Sequence, residues 1–175
     1  MDLGYLSHFP VLAGAVAKTK KGILELGCGW GSTPMLHAMA KVMERPLMTV
    51  DTNPEWLDKF RGLESDLHKF ELVGDIDVEE GEHLLGWMDW EYDLAFIDFA
   101  PGETRKDVAL SLKDKVKFII LHDALCDPPL GGGNYQYETI IPKFRYAEFY
   151  RLTRPVTLIL SNEEPFGLDE KEKNA

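Results

Sequence analysis

The stretch Ile23-Leu24-Glu25-Leu26-Gly27-Cys28-Gly29-Trp30-Gly31-Ser32-Thr33-Pro34 decides the fold. A short apolar run interrupted by one acid reads as a buried strand, and three alternating glycines then break it. A hydroxyl residue followed by proline is the chemistry of a helix N-cap and first helical position, which places the cap at Ser32 and Thr33. Beyond it Met35, Leu36, Met39, Val42 and Met43 recur at helical spacing. The stretch therefore encodes a strand running through a tight turn directly into a helix.

Working outward, Val11 to Lys18 is apolar enough for a short packed helix that ends before Gly22. Downstream, Leu47 to Asp51 forms a second strand, and Asn53-Pro54 opens a helix with Trp56, Leu57 and Phe60 on one face. Further strands are expected at Phe70 to Val73, Tyr92 to Asp98 and Val116 to Leu121, with helices near 79–86 and 103–112. Strands alternating with helices imply a parallel sheet covered on both faces. Glu148 to Thr153 and Val156 to Leu160 are separated only by Arg154-Pro155, a connection short enough for an antiparallel pair alone. The expected fold is α/β and Rossmann-like: a doubly wound, mostly parallel seven-stranded sheet ending in an antiparallel hairpin. One domain over 1–162 is expected, with an acidic tail over 163–175 that frays, and Cys126 to Asn134 reads as a loop.

Composition narrows the class. The 175 residues are 45% hydrophobic and 28% charged, values of an ordinary globular protein. No apolar run approaches the ~20 residues of a membrane span, and the N-terminus lacks the pattern of a secretory signal. A cytoplasmic protein without membrane association is expected, with Cys28 and Cys126 as reduced thiols. The net charge of −11 argues against a nucleic-acid partner. The basic cluster Lys18, Lys20 and Lys21 is assigned to a helix C-terminus.

Glycines at the end of a first strand admit a ligand close to the backbone. A dinucleotide fingerprint would place its third glycine where Ser32 stands, and an acid inside the strand, Glu25, has no use beside a pyrophosphate. Three glycines alone fit a bare strand-helix connection equally well. Glu25-x-Gly27-x-Gly29-x-Gly31, however, resembles the first motif of class I S-adenosylmethionine-dependent methyltransferases. The resemblance implies S-adenosyl-L-methionine as cofactor, held around Glu25, Gly27, Cys28, Gly29, Gly31, Ser32 and Thr33. It further implies ribose binding at Asp51, beside Thr52, and adenine near Asp75 and Ile76. Asp51 read alone is also a plausible turn or capping residue.

A second constellation lies at the carboxyl ends of later strands, where open α/β sheets bind ligands. Asp98 ends the fourth strand and His122-Asp123 the fifth, and neighbouring strands are ~4.8 Å apart. Both segments resemble a small-molecule O-methyltransferase subgroup. That resemblance implies Asp98 near the cofactor, Asp98, His122 and Asp123 as catalytic residues, and Mg2+ held by Asp98 and Asp123 to lower the pKa of an acceptor hydroxyl. His122 acting as general base is the rival, and a His-Asp pair capping the strand end is the plain alternative. The chain departs from the subgroup at Phe99-Ala-Pro-Gly-Glu-Thr-Arg105, and Asp127 and Asn134 are third-ligand candidates only by nearness in sequence. Trp30, Tyr135 and Tyr137 are available to stack on an acceptor or simply to pack. The implied activity is O-methylation of a small hydroxylated metabolite. A cofactor-binding or scaffold subunit without catalysis is the alternative, and a nicotinamide oxidoreductase is disfavoured by Ser32. A homodimer that completes the acceptor pocket is compatible with the sequence and not demanded by it.

Overall fold

The computed structural model describes residues 6–76, 90–124 and 135–174. The helix expected near 79–86 and the residues Cys126, Asp127 and Asn134 lie outside them.

The strands are β1 (Gly22–Leu26), β2 (Leu47–Asp51), β3 (His68–Leu72), β4 (Tyr92–Ile97), β5 (Phe118–Leu121), β6 (Tyr146–Tyr150) and β7 (Thr157–Ser161). They form one seven-stranded sheet in the order β3-β2-β1-β4-β5-β7-β6. Pairing is parallel from β3 through β5, and β7 runs antiparallel to both β5 and β6. The expected architecture, including the closing hairpin, is the one observed. β1 sits beside β4 while the chain from β1 leaves towards β2, so the strand order reverses at β1/β4, the place where such sheets bind ligands.

The apolar runs are long because the central strands are covered twice. Every residue of β1, β2, β5 and β7 is buried, whereas the edge strands β3 and β6 are only partly so. On one face α1 (Phe9–Lys18) and α2 (Ser32–Val42) pack Val11, Leu12, Leu36 and Ala40 against Ile23, Phe96 and Phe118. On the other, α4 (Arg105–Ser111) packs Val108 and Ala109 against Leu24, Val50 and Ile97. α3 (Pro54–Phe60) buries Leu57 and Phe60 against Phe70, with Asn53 accepting a cap hydrogen bond from the Glu55 N–H at 2.9 Å.

Three expectations need correction. Gly31, not Ser32 or Thr33, is the N-cap of α2; Ser32 and Thr33 are its first helical residues and are buried. Val42, read as part of the apolar face of α2, is 84% exposed, because the buried stripe runs through Leu36 and Ala40 instead. In the acidic segment expected to fray, Phe166 and Leu168 are packed at 7% exposure in the core beneath α1, and α5 (Glu170–Asn174) follows. The Glu148 carboxylate accepts the Gly167 and Leu168 N–H groups at 3.0 Å and pairs with Lys173 at 3.3 Å. At the end of α1 the helix carbonyl of Val16 is satisfied by Arg45, while the Lys20 and Lys21 N–H groups donate to Asp93.

Candidate functional site

The first turn is built from below. Glu25 is fully buried, and its carboxylate accepts the Thr33 hydroxyl at 3.0 Å and the Thr49 hydroxyl at 2.6 Å. Thr33 Oγ1 in turn accepts the Gly29 N–H at 2.9 Å, so the acid inside β1 holds the turn through Thr33. Burial pushes the Glu25 pKa up to about 7, although hydrogen bonds from Ser32, Thr49 and Thr33 oppose the shift. Gly27 has φ +94°, and a Cβ there would stand 2.6 Å from the backbone of Asp98 and Phe99, which seats the turn against the end of β4. At Gly29 a Cβ would meet nothing nearer than Ser32 Oγ at 3.8 Å. The fold therefore does not require glycine at 29, and a close-lying ligand would.

Asp51, at the end of β2, straps this turn: Oδ2 accepts the Cys28 N–H and Oδ1 the Asn53 N–H, both at 2.8 Å. Each carboxylate oxygen keeps a second lone pair. Asp51 also lines a cleft of about 520 Å3, within the usual ~300–1,000 Å3 of small-molecule sites, which opens at the carboxyl ends of β1, β2, β4 and β5. Cys28, Gly29, Thr52, Asn53 and Trp56 line it on the turn side, and Asp98, Phe99, His122 and Asp123 on the other. Burial and the charge of Asp51 push the Cys28 thiol pKa up, so it stays protonated. Of the residues expected around a cofactor, Glu25, Ser32 and Thr33 lie beneath the turn rather than in the cleft. Ile76 is fully buried in the core, Asp75 is exposed, and neither lines the cleft.

Asp98, His122 and Asp123 do come together, with one ligating atom from each within 4.8 Å of the others. Arg105 and His122 already serve the acids. Arg105, only 5% exposed, lies with Nη1 3.0 Å from Asp98 and 3.7 Å from Asp123, and its Nε donates to the Phe99 carbonyl at 2.5 Å. His122 Nδ1 stands 3.2 Å from Asp98 and 3.4 Å from Asp123, ion-pair contacts without the alignment of hydrogen bonds. Burial alone would lower the His122 pKa, but the two carboxylates outweigh it and the net direction is up. For Asp98 burial is outweighed by His122 and Arg105, and its pKa falls; for Asp123 burial and the charge of Asp98 prevail, and its pKa rises. Asp123 has φ +55°, a left-handed conformation that aspartate tolerates better than most residues.

A magnesium ion does not fit this donor set. It demands near-octahedral oxygen ligands at ~2.0–2.1 Å, and the two acids that would supply them already face a guanidinium and an imidazole.

The sequence reading missed several parts. Arg105 lies in the very segment that departs from the subgroup, and it contacts both acids that the metal reading assigns to the ion. Ser7 Oγ lies 2.8 Å from His122 Nε2 across 115 residues of sequence, and His8 meets the same ring edge-on at 4.8 Å. Burial pushes His8 down to about 4, with His122 adding to the effect. No local signal links Ser7 or His8 to the end of β5. Trp56 was assigned only to a packing face, yet it borders the cleft, with Lys59 Nζ 3.6 Å above its ring. Tyr135 packs over the Arg105 guanidinium at 5.0 Å and Tyr137 is buried, whereas Trp30 is 51% exposed against Phe60.

No protein-family model matches the chain, and no curated protein matches it in sequence. Solved structures do resemble it. The SAH-bound methyltransferase PaMTH1 of Podospora anserina superposes with a TM-score of 0.63 at 14% identity, over 87% of this chain and 76% of that one. Human methyltransferase-like protein 13, in complex with SAH, gives 0.60 at 15% identity over 97% and 85%. A spermidine synthase in complex with the transition state analogue AdoDATO gives 0.60 at 14% identity over 97% and 62%. At these identities the likeness is one of architecture, and with the strand order above it gives the chain the fold of class I S-adenosylmethionine-dependent methyltransferases.

Proposed function

We propose that this protein binds S-adenosyl-L-methionine in the cleft between the Gly27 to Gly31 turn and Asp98, and methylates a hydroxyl group of a small acceptor there. The observation that carries the reading is Asp51: its carboxylate is strapped to the Cys28 and Asn53 amides and still lines the cleft with acceptor capacity left, the chemistry that takes two vicinal ribose hydroxyls. When bound, the cofactor supplies a methyl group made electrophilic by its sulfonium.

What the chain supplies is position, charge and a proton acceptor. Asp98, held ionised by His122 and Arg105, places negative charge beside the site of a cationic ligand. His122 has Nε2 at Ser7 and Nδ1 at the acids, so it offers the cleft no unengaged nitrogen and acts as a positioning residue. Asp123 is the better proton acceptor, because its raised pKa brings it closer to that of a reacting hydroxyl.

A second reading, a cofactor-binding subunit without turnover, is favoured by the same cluster, since charges already paired among themselves have less to offer an acceptor. The test is incubation with S-adenosyl-L-methionine and a panel of small hydroxylated compounds, following methylated product and SAH. Turnover that survives a chelator and collapses in Asp123→Asn supports the first reading. Tight cofactor binding without product across the panel supports the second, and absence of cofactor binding removes both.

A further inference from the structure

Behind the turn, away from the cleft, runs a line of polar groups that the proposed reaction does not use. Glu25 and Thr49 are register partners on β1 and β2, and the Thr49 hydroxyl lies 2.6 Å from Glu25 Oε2. The same hydroxyl lies 2.9 Å from Nε2 of His68, on β3, and His68 Nδ1 lies 3.0 Å from Nδ1 of His37, on α2. Glu25, Thr49 and His68 are buried, at 0%, 0% and 1% exposure. His37 is partly exposed and, with Lys41, Ser65, Asp66 and His68, lines a separate pocket of about 250 Å3. The line thus begins at the cofactor turn and ends in solvent.

We propose that His37, His68, Thr49 and Glu25 form a proton wire by which the buried acid under the cofactor turn exchanges its proton with solvent through the His37 pocket. The wire has a direction, because a hydroxyl has one hydrogen and a neutral imidazole one N–H. With Glu25 ionised, Thr49 donates to Glu25, His68 donates from Nε2 to Thr49, and His37 donates from Nδ1 to His68 Nδ1. A proton taken up at His37 Nε2 shifts each hydrogen one place inward. His37 passes its Nδ1 proton to His68 Nδ1, His68 passes its Nε2 proton to Thr49, and Thr49 passes its own to Glu25 Oε2. One proton enters, one is held at Glu25, both histidines end neutral in the other tautomer, and every bond is kept with its direction reversed.

The surroundings suit this. Burial holds His68 neutral by pushing its pKa down to about 3, with His37 contributing, so that ring does not trap the proton as imidazolium; burial followed by Lys41 lowers the pKa of His37 as well. Glu25 titrates near neutrality because burial raises its pKa to about 7, with the hydroxyls of Ser32, Thr49 and Thr33 opposing the shift and Asp51 adding to it. Among the described residues, the other charged side chain lining the outer pocket is Asp66. The ring of Phe70, 4.1 Å from that of His68, is apolar cover. The use of such a wire rests on the cofactor reading. A sulfonium arriving above the turn favours the ionised acid and a neutral product favours the protonated one, and the wire moves that proton without opening the turn.

The experiment is nitrogen-15 NMR of the imidazole rings in the full chain without ligand, titrated over pH 5.5–8.5, with the Glu25 carboxyl followed by carbon-13. The expected result is that His68 changes from the Nε2–H to the Nδ1–H tautomer as Glu25 gains its proton, never appearing as imidazolium, and that His37 follows. In Thr49→Val the His68 tautomer no longer tracks Glu25, whereas Thr49→Ser, which keeps the hydroxyl, retains the coupling. In Glu25→Gln the tautomer does not change with pH. A His68 tautomer that stays fixed while Glu25 titrates, or that changes equally in Glu25→Gln, overturns the wire. Should Thr49→Val fail to fold, the titrations of the parent protein and of Glu25→Gln decide alone. Because no cofactor is present, failure of the cofactor reading leaves this result untouched. Conversely, a fixed tautomer in a protein that binds S-adenosyl-L-methionine sinks the wire alone.

Discussion

Asp51→Ala separates two jobs that one carboxylate performs. In the free protein it removes the acceptor of two backbone N–H groups, Cys28 and Asn53, each at 2.8 Å. Hydrogen bonds to a charged group contribute ~1.5–3 kcal/mol each, and both amides are only part-buried, so water recovers some of the loss. A stability decrease of about 2–4 kcal/mol is expected, read by urea denaturation. With ligand, the same change removes the acceptor for two ribose hydroxyls. At ~1.5 kcal/mol for each of the two bonds the cost is ~3 kcal/mol, or an affinity loss of more than about 100-fold for SAH by calorimetric titration. Asp51→Asn is not a gentle version, because its single carbonyl oxygen can serve one amide while its NH2 faces the other donor. Titration is to be done where each variant is fully folded, so that the two effects do not mix. The reasoning is refuted if folded Asp51→Ala binds SAH as tightly as the parent, for then the residue straps the turn and nothing more.

Other consequences are open to measurement. Gly29→Val should keep the melting behaviour of the parent and lose at least about tenfold in SAH affinity, since a Cβ has room in the fold and none beneath a close ligand. Arg105→Met leaves Asp98 and Asp123 without their guanidinium, and a pair broken on one side costs about 3–5 kcal/mol when buried; equal stability by urea denaturation speaks against the cluster as described. Glu25 has a folded pKa of about 7 against an ordinary 4.5, so its stabilising effect is complete below 4.5 and lost as pH rises through 7. Relative to Glu25→Gln the parent should therefore lose on the order of 3 kcal/mol across that window, and parallel stability curves contradict the raised pKa. His68 is depressed to about 3 from 6.5, so its contribution is present above 6.5 and fades as pH falls below it; in His68→Asn that acid slope should flatten.

What the residues disclosed, and what they withheld, follows from how local each signal is. The Gly27, Gly29, Gly31 turn and the apolar runs of β1, β2, β4 and β5 are legible because buried parallel strands are apolar throughout and strand-helix alternation has few packed solutions. The place of Asp51 at the end of β2, next to the glycine turn, was legible as well. The tail misled because its composition is acidic, while its fate is settled by Phe166 and Leu168, two side chains whose burial contributes ~1.5–3 kcal/mol each. Val42 misled because helical spacing alone does not say how wide the covered stripe is. The charge state of Asp98 and Asp123 was not legible at all. It depends on Arg105 and on the Ser7 contact to His122, and neither pairing leaves a trace in local pattern. The same holds for Glu25: its place in the motif is evident, but its partners Thr49 and His68 are set by strand register.

The central claim is that the Gly27 to Gly31 turn and Asp51 hold S-adenosyl-L-methionine, and isothermal titration of the unaltered protein with S-adenosyl-L-methionine, SAH and NAD tests it most directly. The account predicts one binding site per chain for the first two ligands, none for NAD, and loss of that site in folded Gly29→Val. A parent protein that binds neither S-adenosyl-L-methionine nor SAH, or a folded Gly29→Val that binds them as tightly as the parent, contradicts it.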